Sequence, residues 1–315
     1  MARFDVVLIG EILVELYCEG PLGDRTPVRL GFSGDTLNAA AASAAAGART
    51  AVLTAVADDQ LGDALVRRVA DLGIDTSLIR RVPGSNGAYM LHGDLSGERE
   101  FTYWRTGSVA SRLDAPDVEA HAATLREAGA LVVTGIGSAL SDTSRRAVLT
   151  AARLASEGGA AVVYDPNFRA RLTTEERARA ALAEIAPYCA LVTPSCPSDA
   201  RALLGTDDPE TAARAARALG AEAAAVTVGA DRVVVAGADA VVTLPVPRVA
   251  EAVDATGAGD ILAGTTAARL ALGDPLLTAI SLGIGAASLS VAGEGGTGLI
   301  PTLAATRAAA PTPPG

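Results

Sequence analysis

The sequence has 315 residues, half of them hydrophobic, enough for one large α/β domain with a small appendage or for two domains. Its formal charge of -10 argues against a nucleic-acid or anionic-membrane surface, and every basic side chain is an arginine, which excludes lysine-based phosphate binding, Schiff bases and lysine nucleophiles. The scattered cysteines Cys18, Cys189 and Cys196 fit a reducing compartment, while His92 and His121 lie near no cysteine pair and offer neither a zinc cluster of ordinary spacing nor a persuasive catalytic triad.

Residues 4–9 are a short apolar run rich in β-branched side chains that ends at Gly10, the pattern of a buried parallel strand rather than of a signal peptide. The continuation Gly10-Glu11-Ile12-Leu13-Val14-Glu15-Leu16 lacks the Gly-x-Gly-x-x-Gly of a dinucleotide fold, which disfavours a dehydrogenase. Glu11 and Glu15 are expected to face solvent. Next comes Ser33-Gly34-Asp35-Thr36-Leu37-Asn38 and an alanine-rich stretch to Gly47. Ser33 and Asp35 can each cap a helix, the alanines let it lie close to a sheet, and a buried Asn38 needs partners that a ligand or a neighbouring loop can supply. Residues 50–56 read as a strand, and Asp58-Asp59-Gln60 starts a helix to about Leu72. This β-α-β-α alternation predicts a parallel sheet with helices on both faces.

The alternation breaks between Asn86 and Arg105, where extended runs at 87–91 and 99–105 flank the turn residues 92–98 of a hairpin. Four of the chain's ten aromatic residues stand here: Tyr89, Phe101, Tyr103 and Trp104. At strand period Tyr103 and Arg105 share one face and Trp104 takes the other. Such clustering fits a lid over a polar ligand, an apolar dimer patch, or both on opposite faces; residues 13–17 and 28–32 can supply its other strands.

Beyond Gly107 the alternation resumes, with strands at 130–134, 160–165 and 190–193 and a helix capped by Ser141 running to about Ser156. The 160–165 strand ends in Asp165-Pro166-Asn167-Phe168-Arg169; ligands of parallel sheets bind outside the carboxyl ends of strands, so Asp165, Asn167 and Arg169 stand where polar chemistry belongs. Ser195 and Asp199 lie in a turn entering a helix that ends near Gly205. Strands at 223–228 and 233–236 flank Gly229-Ala230-Asp231-Arg232 as an edge hairpin, with 240–244 as a third strand. Then Val253-Asp254-Ala255-Thr256-Gly257-Ala258-Gly259-Asp260 opens an apolar helix. A glycine-rich helix start offers free N–H groups to an anion, and a carboxylate in its first turn can take a proton from a hydroxyl held there; a plain helix entry is the alternative. Residues 276–293 are the most apolar long segment, but Thr278, Ser281, Ser288, Ser290 and several glycines suit a buried helix rather than a membrane span, and a cytoplasmic protein is expected. The Ala/Pro/Thr-rich tail, 305–315, is expected to be flexible.

The segments 33–38 and 254–260 resemble the N- and C-terminal signatures of the ribokinase-like (PfkB) carbohydrate kinases, in the family's order and separation, and the likeness covers nearly the whole chain. It implies a three-layer α/β/α core with a mostly parallel central sheet (1–12, 34–85 and 107–304) and a small β-sheet lid (13–33 and 86–106). It also implies transfer of the ATP γ-phosphate to a sugar hydroxyl, with Mg2+ carried mainly on phosphates and water. By the same resemblance Asp260 is the base, and the N–H groups of Gly257, Ala258 and Gly259 form the anion hole. Asn167, Ser195, Thr227, Gly229, Arg232, Thr256 and Ala286 join Gly257 and Gly259 on the nucleotide side. No residue is implied as a direct metal ligand.

Within the family, Gly34-Asp35-Thr36-Leu37-Asn38, Tyr89, Tyr103-Trp104-Arg105 and the 165–169 segment look most like the kinases of 2-keto-3-deoxygluconate. That likeness puts Ser33, Gly34, Asn38, Tyr89, Tyr103, Arg105, Arg169 and Asp260 on the substrate, with the tyrosines donating to its hydroxyls. Two arginines can fork onto one carboxylate, which ribose or fructose lacks. The chain departs from the family pattern in having Ser33-Gly34 for Gly-Gly, Ser195 for Asn, Asp199 for a Glu in another register, and Arg232 for Gly. A kinase of fructose, of an inositol-derived acid or of a nucleoside is the nearest alternative, and a non-catalytic sugar-acid sensor the next. Association of copies through the lid sheet is expected, with no nucleic-acid or membrane partner.

Overall fold

The computed structural model describes residues 4–18, 21–93 and 99–314; residues 94–98 of the expected hairpin turn lie outside the described residues. The strands are β1 (Val6–Ile9), β2 (Leu13–Cys18), β3 (Arg29–Ser33), β4 (Thr50–Ala57), β5 (Ile79–Val82), β6 (Ala88–Gly93), β7 (Arg99–Trp104), β8 (Ala130–Thr134), β9 (Ala161–Asp165), β10 (Leu191–Val192), β11 (Ala223–Val228), β12 (Arg232–Ala236) and β13 (Val241–Pro245). The helices are α1 (Asp35–Ala45), α2 (Gln60–Asp71), α3 (Ala115–Glu119), α4 (Ala122–Glu127), α5 (Gly135–Ala139), α6 (Asp142–Glu157), α7 (Glu175–Ile185), α8 (Pro209–Ala218), α9 (Ala258–Ala271), α10 (Leu276–Ser290) and α11 (Leu303–Ala309).

Nine strands form the large sheet in the order β13-β12-β11-β10-β9-β8-β1-β4-β5, parallel from β11 to β5, with β12 and β13 antiparallel at one edge. Strand side chains alternate between faces, and both faces of this sheet are covered. Val7, Ile9, Leu131, Val133, Val162 and Tyr164 point into a core built with α3, α4, α6 and α7. Their neighbours Val6, Leu8, Ala130, Val132 and Val163 point into a second core with α1, α2, α9 and α10. The apolar runs of β1, β8 and β9 are therefore continuous rather than alternating, as two-sided burial requires. The layers are helix, sheet, helix.

The small sheet runs β3-β2-β6-β7. Its register sets Val14 beside Ala88 and Ala88 beside Trp104, and Leu16 between Leu30 and Met90, so these share the outer face. The inner face carries Leu13, Tyr17, Tyr89, Leu91, Phe101 and Tyr103 as a separate apolar cluster, with the Tyr89, Phe101 and Tyr103 ring centroids 5.9 to 6.1 Å apart.

Several expectations need correcting. Glu11 does not face solvent: it is 1% exposed, and Glu15 is part-buried. The tail is not unstructured from 305, because α11 covers 303–309, Thr302 caps it, and Ser281 donates a hydrogen bond to the Pro311 carbonyl. The helix expected to end near Gly205 is a π-helix over Ala200–Leu204, entered by a bond from the Ala200 N–H to the Ser195 carbonyl. All three cysteines are buried and none is disulfide-bonded. Among the described residues no helix is long and apolar enough to cross a membrane.

Candidate active site

A cavity of about 630 Å³ opens between the carboxyl ends of the core strands and the inner face of the small sheet, a size suited to a small organic ligand. Its wall brings together Ser33, Gly34, Asn38, Tyr89, Tyr103, Arg105 and Arg169 from the expected sugar side with Asn167, Ser195, Thr227 and Thr256 from the expected nucleotide side, and sets Gly257, Ala258, Gly259 and Asp260 between them. Three expected residues fall outside this wall. Gly229 and Arg232 belong to the β11–β12 hairpin, where Arg232 pairs with Asp231, and Ala286 is packed inside α10 against Ala42 and Ile261.

The chain entering α9 is shaped by two features. Asp254 accepts hydrogen bonds from the Thr256 N–H (2.8 Å) and the Gly295 N–H (2.9 Å), tying the turn to the loop after α10. Gly257 then adopts φ 80°, where a Cβ would lie 2.9 Å from Asn38 Nδ2 and 3.0 Å from Gly296 Cα, so only glycine fits. The result is a run of N–H groups at the positive end of a 14-residue helix.

Asp260 sits in the first turn of α9, 8% exposed. Its Oδ2 accepts from Asn38 Nδ2 at 2.9 Å and its Oδ1 from Asn167 Nδ2 at 3.1 Å. Each asparagine is held in turn. The Ser33 hydroxyl donates to Asn38 Oδ1 at 3.3 Å, and the Asn167 N–H donates to Asp165 Oδ1 at 3.1 Å while Asn167 adopts the left-handed φ of 41°. Asparagine tolerates that conformation better than most residues, and here it aims its amide at the carboxylate. Burial is the first cause that pushes the Asp260 carboxyl up to about 7, with the nearby Asp35 charge the second; Asn38, Arg169 and Asn167 pull the other way. A base poised near neutrality suits proton abstraction from a hydroxyl.

Three further carboxylates line the cavity. Asp35 accepts from the Thr134 hydroxyl. Asp165 is held well above the carboxylate range by burial and by the charges of Asp199 and Asp260. Asp199 accepts from the Phe168 N–H (2.9 Å) and from the N–H and hydroxyl of Ser195 (2.8 and 2.7 Å), so it fastens the 165–169 segment to the 195–199 turn. Against these stand Arg105, Arg169 and Arg171. Arg169 is exposed to the cavity and Arg171 donates across to the Phe101 carbonyl of the small sheet at 2.6 Å. Asp35 was read from sequence as a helix cap within the 33–38 signature and not as a cavity residue, while Thr193 and Arg171 were not singled out; of those two only Arg171 carried a signal, standing two residues beyond Arg169.

Two expected substrate contacts differ in detail. The Tyr89 hydroxyl donates to Glu15 Oε2, so it has no proton to offer a ligand and presents an acceptor instead. Arg105 does line the cavity, but its Nε donates to the buried Glu11 Oε2 at 2.8 Å, so only part of the guanidinium is available.

Residues 3–303 match the pfkB family of carbohydrate kinases, and the chain belongs to that family. It is 31% identical over 307 residues to a 2-dehydro-3-deoxygluconokinase of Thermoproteus tenax, covering 96% of this chain and 92% of that one. Identity is 29% over 276 residues to the Escherichia coli K12 enzyme of the same name, covering 84% and 88%. Among solved structures, a PfkB protein from Polaromonas sp. JS666 superposes with a TM-score of 0.85 at 28% identity over 98% of this chain and 100% of that one. A 2-dehydro-3-deoxygluconokinase of Thermotoga maritima shares the fold with a TM-score of 0.84 at 21% identity, covering 98% of each chain. The protein is thus a carbohydrate kinase with a ribokinase-like fold.

Proposed function

We propose that this kinase transfers the γ-phosphate of ATP to a hydroxyl of a sugar acid, 2-keto-3-deoxygluconate first among candidates. The observation that carries the reading is the placement of Asp260: a buried carboxylate raised toward neutrality, gripped by Asn38 and Asn167, beside the N–H groups of Gly257, Ala258 and Gly259 in a cavity that also holds Arg105 and Arg169. The names of the relatives over most of the chain's length support the substrate class.

In this scheme the acceptor hydroxyl gives its proton to Asp260, its oxygen bonds to the γ-phosphorus, and the bond to ADP breaks with its electron pair leaving on ADP. The N–H groups at 257–259 hold the phosphoryl oxygens as charge develops on them. Ser195, Thr227 and Thr256 face the nucleotide; Tyr103 and Phe101 cover the sugar. Among the described residues no group of three or more acidic, histidine or cysteine side chains is placed to hold a metal by itself. The site fits Mg2+ all the same, because Thr193 Oγ1 is buried in the wall without a hydrogen-bond partner, next to Ser195 and Asp199. Mg2+ bound through phosphates and water against these groups would neutralise phosphate charge.

We assign residues 13–33 and 86–106 as a lid on a core of 1–12, 34–85 and 107–304, closing to exclude water from the transfer. The lid's outer face exposes Leu30 and Trp104, each more than half accessible, with the His92–Glu100 pair further along the same face, and a second copy of this chain is the partner that its apolar part fits. A coupled ADP-release assay across sugar acids, ketoses, pentoses and nucleosides tests the substrate class. Highest kcat/KM for a 2-keto-3-deoxy acid is expected, and preference for a neutral ketose would overturn the reading.

A further inference from the structure

Arg105 stands where the chain leaves the small sheet for the core, and its guanidinium is held from one side only. Nε donates to Glu11 Oε2 at 2.8 Å. Nη2 lies 2.7 Å from the same oxygen but off the line of a hydrogen bond, and it has no other partner although the side chain is only 6% exposed. Glu11, just past β1, is fixed in turn: Oε1 accepts from the Ser108 hydroxyl, and a Cβ on Gly87 would fall 2.4 Å from that oxygen, so the backbone of 87 closes the remaining side. Glu11 does not line the cavity; Arg105 does.

A buried ion pair gives little net stability over an apolar pair of the same size, so stability is a poor reason for this one. Nε and Nη2 both face Glu11, so the Nη1 edge is what Arg105 has left to offer a ligand oxygen in the cavity that it lines. Arginine has four side-chain rotations, and a guanidinium free to use them would meet an incoming carboxylate in many orientations, few of them matched to its fork.

We propose that Glu11 is a positioning residue for substrate selection: by gripping Nε of Arg105 it turns the Nη1 edge of the guanidinium to the cavity as the receptor for the sugar acid's carboxylate. This rests on the sugar-acid reading above. The grip is a hydrogen bond in a fixed place rather than a charge, so an uncharged acceptor of the same shape preserves it.

The test is steady-state ADP release by the full chain with 2-keto-3-deoxygluconate, comparing wild type, Glu11→Ala and Glu11→Gln. The Ala variant is expected to raise KM for the sugar acid about tenfold or more with kcat and the KM for ATP within about threefold, and the Gln variant to stay within about threefold of wild type throughout. An unchanged KM in Glu11→Ala, equal defects in Ala and Gln, or a fall in kcat accompanied by a rise in the KM for ATP would each overturn the proposal and leave the sugar-acid reading standing. A wild type that releases no ADP with any sugar acid overturns both.

Discussion

Replacing Asp260 by asparagine should stabilise the ligand-free protein at alkaline pH while disabling it. Burial and neighbouring carboxylates raise the folded carboxyl from 3.8 to about 7, a displacement worth at most about 4 kcal/mol at about 1.4 kcal/mol per pH unit. The folded protein holds this proton more tightly than the unfolded chain does. The stabilisation that the proton confers is therefore complete below about pH 4 and is lost as pH rises through about 7. An amide removes that slope. Asn38 and Asn167 both aim N–H groups at Asp260, so one amide must turn over in the variant, costing about 1 kcal/mol. Asp260→Asn should then be more stable than wild type by about 2–3 kcal/mol at pH 8.5 and no more stable at pH 4. Urea denaturation at the two pH values measures the difference, and ADP release at saturating substrates should show kcat down by about 10²-fold or more. A stability difference that does not change with pH, or near-normal turnover, would refute the reasoning. In wild type, kcat/KM should climb with pH through about 7 as the free enzyme's base loses its proton.

Three further outcomes follow from the geometry. Gly257→Ala forces a methyl against Asn38 and Gly296 at a left-handed φ, so it should lower unfolding stability by roughly 1–3 kcal/mol and remove kinase activity; calorimetry and ADP release together check this. Arg169→Ala removes a cavity cation that has no carboxylate partner among its hydrogen bonds, and should raise KM for a keto acid by about tenfold while leaving stability within about 0.5 kcal/mol. Trp104→Glu charges the outer face of the small sheet and should shift the protein toward monomer in sedimentation, with no effect expected if copies meet elsewhere.

Local pattern carried much of the fold. β8 coincides with the 130–134 run, Ser141 caps α6 as its spacing suggested, and the two strands needed to complete the small sheet lie where 13–17 and 28–32 put them. These features depend on neighbours in sequence or on period-two alternation. The errors depend on partners far away. Glu11 looks like a surface acid because nothing near it is basic; its cation stands 94 residues later, on a segment whose return to the end of β1 only the tertiary fold decides. Tyr89 looks like a donor because its acceptor, Glu15, lies on the neighbouring strand β2, in a register that the sequence of either strand leaves open. α11 escaped because alanine, threonine and proline also compose loose tails, and what orders it is docking on α10, where a Cβ on Gly285 would touch the Thr306 carbonyl. On the site itself, the segments 33–38, 165–169 and 254–260 named Asn38, Asn167 and Asp260, which meet. The hairpin and the α10 alanine assigned to the nucleotide side fell away from the cavity, since motif position says nothing about which residues α10 buries against its neighbours.

The three buried thiols give this chain a set of built-in clocks. Cys18 lies in β2 of the small sheet, Cys189 in the core beneath β10, and Cys196 beside Ser195 at the cavity's edge. Burial also raises the Cys189 and Cys196 thiols above their ordinary range, so an alkylating reagent reaches them as thiolates only when their surroundings open. With one thiol in each region, the order in which mass is gained during slow alkylation would time the breathing of sheet, core and turn separately in a single unmutated sample, with and without bound nucleotide.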